Sequence, residues 1–141
     1  MSIPMILAPL FVQVLLTFVI GFWLASLGTS ALRRGEVKPA DISLRQLNWP
    51  TRTMQVRNSY QNQLELPLLF YVLTILAVIT RHADLLFVIM AWIFVLSRLV
   101  HAYIHVSSNN LSQRGLWFGI GVFTLALMWL IFIVRILLGL P

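Results

Sequence analysis

Apolar residues fill this chain in long unbroken stretches, with no alternation between two faces. The stretches run from about Ile6 to Leu32, Leu64 to Thr80, Leu85 to Val106 and Leu116 to Leu140. Crossing roughly 30 Å of hydrocarbon takes about 20 helical residues, and each stretch reaches that length once the second is extended backwards. The extension follows from Asn58, Gln61, Asn62 and Glu65, whose spacings of three and four put them on one face of a helix that continues into the apolar run. Backbone groups in lipid must bond within the protein, which leaves helices or a closed barrel, and continuous apolar runs select helices. The pattern therefore predicts an all-α integral membrane protein: one domain over residues 1–141, a four-transmembrane-helix bundle with helices at about 6–32, 58–80, 85–106 and 115–140. Pro67 is expected to bend the second helix. Gly115 and Gly119 form a GxxxG, and Gly21 with Ala25 a looser version, both expected to mark close helix packing within or between subunits.

Composition agrees with this pattern. Hydrophobic residues make up 60% of the chain and charged residues 10%, with a mean hydropathy of +0.90, far from a soluble globular domain. Any site must lie among the helices. The chain has no cysteine, which excludes disulfides and thiolate metal ligands. Met1–Leu10 lacks the positive start of a cleavable signal peptide, and its apolar run continues past Phe18, so it is read as the first span.

The net charge of +6 reflects topology. Arg33, Arg34, Lys38, Arg45, Arg52 and Arg57 follow the first span and Arg114 follows the third, giving seven basic residues on one side against Arg81 and Arg135 on the other. Positive loops stay in the cytoplasm, so both termini are expected on the non-cytoplasmic side. No basic and aromatic surface remains outside the bilayer for nucleic acid.

Charges inside spans are costly and tend to face a cavity or each other. Glu65 and Arg98 fall at similar depth, each roughly two turns inside its helix, and are expected to pair. Arg98, His101 and His105 follow i, i+3, i+7 and make a second polar stripe, so the two stripes together would form a cleft rimmed by Arg33, Arg34 and Arg114. Arginines suit carboxylate or thiolate groups. The bland alternatives are a structural ion pair for Glu65 with Arg98 and interfacial anchors for the rim arginines. His101 and His105 form an HxxxH, but no third ligand lies near in sequence, so no metal site is expected.

The run Asn62-Gln63-Leu64-Glu65-Leu66-Pro67, with Arg98-Leu99-Val100-His101 and Arg114, resembles the MAPEG family, the membrane-associated proteins in eicosanoid and glutathione metabolism. The resemblance covers the whole chain and makes a bacterial inner membrane the expected setting. It implies a homotrimer with glutathione as co-substrate bound between subunits near the cytoplasmic face, and conjugation to lipophilic electrophiles or reduction of hydroperoxides drawn from the membrane lipid. On that resemblance Asn62 and Glu65 hold the peptide part of glutathione, Arg57, Arg98, His101 and His105 line its site, and Arg34 or its neighbour Arg33 meets a carboxylate or flanks the thiol. Arg114, with Arg34, would be catalytic, Arg114 activating the thiol. The sequence departs from the family at Gly115, where some members carry serine, at His105, where tyrosine is common, and at Asn58, where an arginine is often found. Two other classes stand beside the enzyme: a small transporter built on Glu65, which Arg98 at similar depth argues against, and a non-catalytic protein with the same fold.

Overall fold

A computed structural model describes residues 1–43 and 48–141; Arg45, counted above among the basic residues, lies outside the described residues. The elements are α1 (Ile3–Arg33), α2 (Pro39–Ile42), α3 (Thr51–Ile79), α4 (Leu85–Val106) and α5 (Leu111–Leu137). All but α2 are long and apolar enough to cross a membrane, and the chain is a multi-pass helical membrane protein. Helix α1 packs chiefly on α3 and α4 on α5, with α4 also against α1 and α3.

Helix ends are set by local chemistry, which explains where they depart from the apolar runs. The Asn110 side chain accepts hydrogen bonds from the Ser112 and Gln113 N–H groups, starting α5 at Leu111 rather than near 115. Its other end stops at Leu137 because Gly139 adopts φ 64°, and the Leu140 N–H folds back to the Arg135 carbonyl at 2.8 Å. Gly35, at φ 73°, ends α1 by the same device, with the Glu36 N–H on the Ala31 carbonyl. Helix α3 begins at Thr51, so Arg52 and Arg57 belong to a helix rather than a loop, and it runs unbroken through Pro67. Such a proline is tolerated because neighbouring helices enclose it, and Pro67 is buried. The short α2 escaped the apolar pattern: Pro39 opens it, and the Asp41 carboxylate accepts from the Lys38 N–H at 3.2 Å.

The core joins α3, α4 and α5 through Phe70, Leu73, Phe94, Val95 and Leu125, with the Phe70 and Phe94 rings 4.9 Å apart. Lipid tails are as apolar as leucine, so close fit and polar contacts hold such helices together. Between α1 and α3 the fit is close at Gly21, where an added Cβ would lie 2.9 Å from Tyr60 Cε1. In the same interface, Gln13 Nε2 donates to Gln63 Oε1 at 2.9 Å, both side chains fully buried, a contact worth roughly 1 kcal/mol in a bilayer. Gly115 and Gly119 differ: a Cβ at either would meet nothing within 4 Å, so they mark no packing inside the bundle.

At the end of the bundle nearer the termini, Asp84 caps α4 by accepting from the Phe87 N–H at 3.0 Å and forms an ion pair with Arg135 at 2.8 Å. Burial pushes the Asp84 carboxyl up, but the hydrogen bond and charge of Arg135, together with the Phe87 N–H, outweigh it and hold the carboxyl below its ordinary 3.8. A depressed value stabilises the fold above 3.8, and that contribution is lost as pH falls through the lowered value. Replacing Asp84 by Ala is expected to cost about 1 kcal/mol at neutral pH, most of it the cap, since the ion pair is solvent-screened. Melting of both proteins in detergent checks this; a difference that persists undiminished in strong acid contradicts it.

Candidate functional site

Helical spacing gathers three elements around one space. Asn58, Asn62 and Glu65 on α3 follow i, i+4, i+7; His101 and His105 on α4 follow i, i+4; Leu111, Arg114, Gly115 and Phe118 succeed one another on one side of α5. Together they line an open groove of about 460 Å³. The expected cleft between two polar stripes is therefore present, with α5 as a third wall. Phe118 and Leu111 were not singled out by the sequence, because an aromatic or leucine in an apolar run carries no signal of its own.

His101 and His105 form the floor. Only 2% and 5% exposed, they have ring centroids 5.6 Å apart at 76°, and His101 also lies 5.8 Å from the Phe118 ring. Neither Nδ1 has a hydrogen-bond partner among the described residues. Buried polar atoms are normally satisfied, and these two belong to a wider set of open buried groups that includes Gln13 Oε1, Ser59 Oγ and Arg98 Nε. The described residues contain no cluster of three or more potential metal ligands.

Arg114 stands in the first turn of α5, half-buried, and its Nη1 donates to Asn109 Oδ1 at 2.6 Å. Asn109 itself adopts φ 53°, a left-handed conformation that asparagine tolerates better than most residues. The turn between α4 and α5 thus anchors the guanidinium at the mouth of the groove. Electrostatically Arg114 reaches both histidines, as does Arg98.

The expected ion pair between Glu65 and Arg98 is not formed. Arg98 is fully buried, and its Nη2 donates to the Asn62 carbonyl at 3.1 Å and to Asn62 Oδ1 at 3.4 Å. Gly121 on α5 makes room at this level, since a Cβ there would come within 3.0 Å of Ser97 Oγ and 3.7 Å of Arg98 Cδ. Glu65 points instead from the exposed outer face of α3 into the groove, near enough to Arg98 to feel its charge without a contact. Glu65 projects outward while Arg98 turns inward, so similar depth did not become contact. Arg98 therefore holds Asn62 from behind and does not line the groove.

Three further expected residues lie elsewhere in the chain. Arg33 and Arg34 are exposed at the end of α1, and Arg57 lines a separate, mostly apolar groove of about 330 Å³ with Leu24, Gly28, Leu32 and Trp49. A much smaller cavity, about 20 Å³, sits at the opposite end between Asp84, Met128, Phe132 and Arg135 and contains none of the expected site residues.

Four membrane-spanning helices, three of which line a polar groove with an arginine in the first turn of its third wall, define a helical membrane protein. A family model described as the MAPEG family matches residues 6–134, and the chain belongs to the MAPEG family. That family includes glutathione-dependent transferases and peroxidases. No curated protein and no solved structure matches the chain.

The turn yields a prediction. Replacing Asn109 by Ala is expected to destabilise the protein by about 1 to 2 kcal/mol, the cost of a left-handed residue without asparagine's local help. Replacing it by Gly should recover most of that loss while still freeing Arg114. Thermal melts compare the two; equal losses would assign the cost to the contact with Arg114 instead of the backbone.

Proposed function

We propose that the protein is a glutathione-dependent membrane transferase or peroxidase acting on lipophilic electrophiles or hydroperoxides. The observation that carries this reading is the meeting of Asn62, Glu65, His101, His105 and Arg114 around one groove of about 460 Å³ in a member of the MAPEG family. Glutathione offers an ammonium group, two carboxylates, two amides and a thiol. Glu65 suits the ammonium group, Asn62 and the two unpartnered imidazoles suit the amides, and Arg114 suits an anionic sulfur.

A free thiol near pKa 8.5 is mostly protonated at neutral pH. The Arg114 guanidinium and the positive end of α5 both stabilise the thiolate, and each unit of lowering raises its fraction about tenfold. With an electrophile, the thiolate forms a carbon–sulfur bond as the leaving group departs with its electron pair. With a hydroperoxide, it takes the terminal oxygen and releases the alcohol, and a second glutathione then gives the disulfide and water. Gly115 supplies no hydroxyl to assist, so activation rests mainly on Arg114.

The site belongs to a homotrimer in this reading. Asn58, Gln61 and Glu65 are exposed on the outside of the single bundle, at positions where lipid offers no hydrogen bonds. A neighbouring copy covers them, and its Arg33, Arg34 and Arg57 complete the rim from across the interface. Membrane lipid delivers the second substrate laterally. In the same reading the α1–α3 connection is cytoplasmic and both termini lie outside, which the excess of positive charge supports, and the membrane is a bacterial inner membrane.

Two measurements follow. Thiolate absorbance of bound glutathione should predominate at neutral pH in the wild type and be lost in Arg114→Ala, with turnover of an aryl halide falling about tenfold or more. Tight binding without thiolate in the wild type would identify a non-catalytic member of the family. Because the chain has no cysteine, Lys38→Cys introduces a single reporter. An impermeant thiol reagent should label it only after cells are permeabilised; ready labelling of intact cells reverses the orientation.

A further inference from the structure

A helix leaves its last carbonyls without internal partners. At the end of α4 the chain itself bonds the Tyr103 and Ile104 carbonyls, through the Ser107 and Asn109 N–H groups. The next three carbonyls, of His105, Val106 and Ser107, are taken by side chains of α3. Gln55 Nε2 donates to the His105 carbonyl at 2.8 Å and the Ser107 carbonyl at 3.2 Å, and Arg52 Nη1 donates to the Val106 carbonyl. Arg52 also reaches Gln55 Oε1 at 3.4 Å, and its guanidinium carbon stands 4.8 Å from the centre of the Trp23 ring of α1. One clasp thus ties the first turn of α3 and the face of α1 to the last turn of α4.

That turn carries His105, and Asn109, the partner of Arg114, follows it by four residues. We propose that Arg52 and Gln55 are positioning residues for the groove: by holding the carbonyls that end α4 they fix the placement of the His105 imidazole, and through the following turn that of Arg114. Neither residue lines the groove. Planar, charged and stacked on an indole, arginine suits this position in a way lysine does not. The functional consequence rests on the glutathione reading; the placement of His105 does not.

The test uses the full-length protein in detergent with 15N-labelled histidine. Its three histidines give few imidazole signals, and His105→Gln identifies the one belonging to His105. Gln55→Leu removes its two hydrogen bonds to α4 and the one it accepts from Arg52 at nearly constant size, and Arg52→Lys keeps the charge while losing the planar stack. Each should shift the His105 signal and leave that of His82, at the opposite end, in place. Glutathione Kd should rise about tenfold in Gln55→Leu and less in Arg52→Lys, with turnover at saturation reduced less than affinity. Lower melting temperatures with an unmoved His105 signal would overturn the proposal, leaving the clasp a stabilising contact only. If Gln55→Leu does not fold, Arg52→Lys decides by the same signal. Should the wild type bind no glutathione, the function proposed above fails, and the His105 signal still decides whether the clasp places the imidazole.

Discussion

A polar side chain within the hydrocarbon must find a partner inside protein, because lipid supplies none. This constraint organises the molecule. Gln13 Nε2 meets it by donating to Gln63 Oε1 between α1 and α3, and Arg98 Nη2 by donating to the Asn62 carbonyl, while Gln13 Oε1 and Arg98 Nε and Nη1 have no partner among the described residues. Asn58, Gln61 and Glu65 remain exposed on the bundle, and the imidazole Nδ1 atoms of His101 and His105 are buried without a partner. Asn58, Glu65 and the two imidazoles line the groove, whereas Gln61 does not, nor do Gln13, Ser59, His82, Arg98 and Trp129, each of which also carries a buried polar atom without a partner.

The architecture around that groove assigns different tasks to residues of the same type. Arg98, fully buried, supports Asn62; Arg114, half-buried at a helix start, faces the open space; Arg52, at the start of α3, ends α4. All three are arginines, and only their positions on the helices separate the two that hold neighbouring elements from the one that faces the groove. The Asn109–Asn110 pair does comparable work within one turn, Asn109 holding Arg114 and Asn110 starting α5.

Much of this was legible in the sequence because the bilayer imposes simple rules. Run length gave the four spans, and spacings of three and four put Asn58, Asn62 and Glu65 on one face and His101 and His105 on another. Contacts between helices were less legible. Depth along two helices suggested that Glu65 meets Arg98, but their directions around the axes differ, and Asn62 takes the guanidinium. GxxxG at Gly115 suggested packing within or between subunits, and inside the single bundle nothing lies within 4 Å of a Cβ at either glycine. The clasp of Arg52 and Gln55 on α4 was invisible because its acceptors are backbone carbonyls, which every residue carries. Where α5 starts could have been read from Asn110, a strong capping residue, had the cap been weighed before the apolar run.

The central claim is that the groove between α3, α4 and α5 holds glutathione with Glu65 on its ammonium group. Isothermal titration of glutathione into the detergent-purified protein, and into Glu65→Gln, tests it most directly, since the substitution keeps size and removes only the charge. The account predicts saturable binding to the wild type and affinity at least about tenfold weaker in the variant, the usual scale for a charge-assisted hydrogen bond. No saturable binding to the wild type, or equal affinity in both proteins, would contradict it.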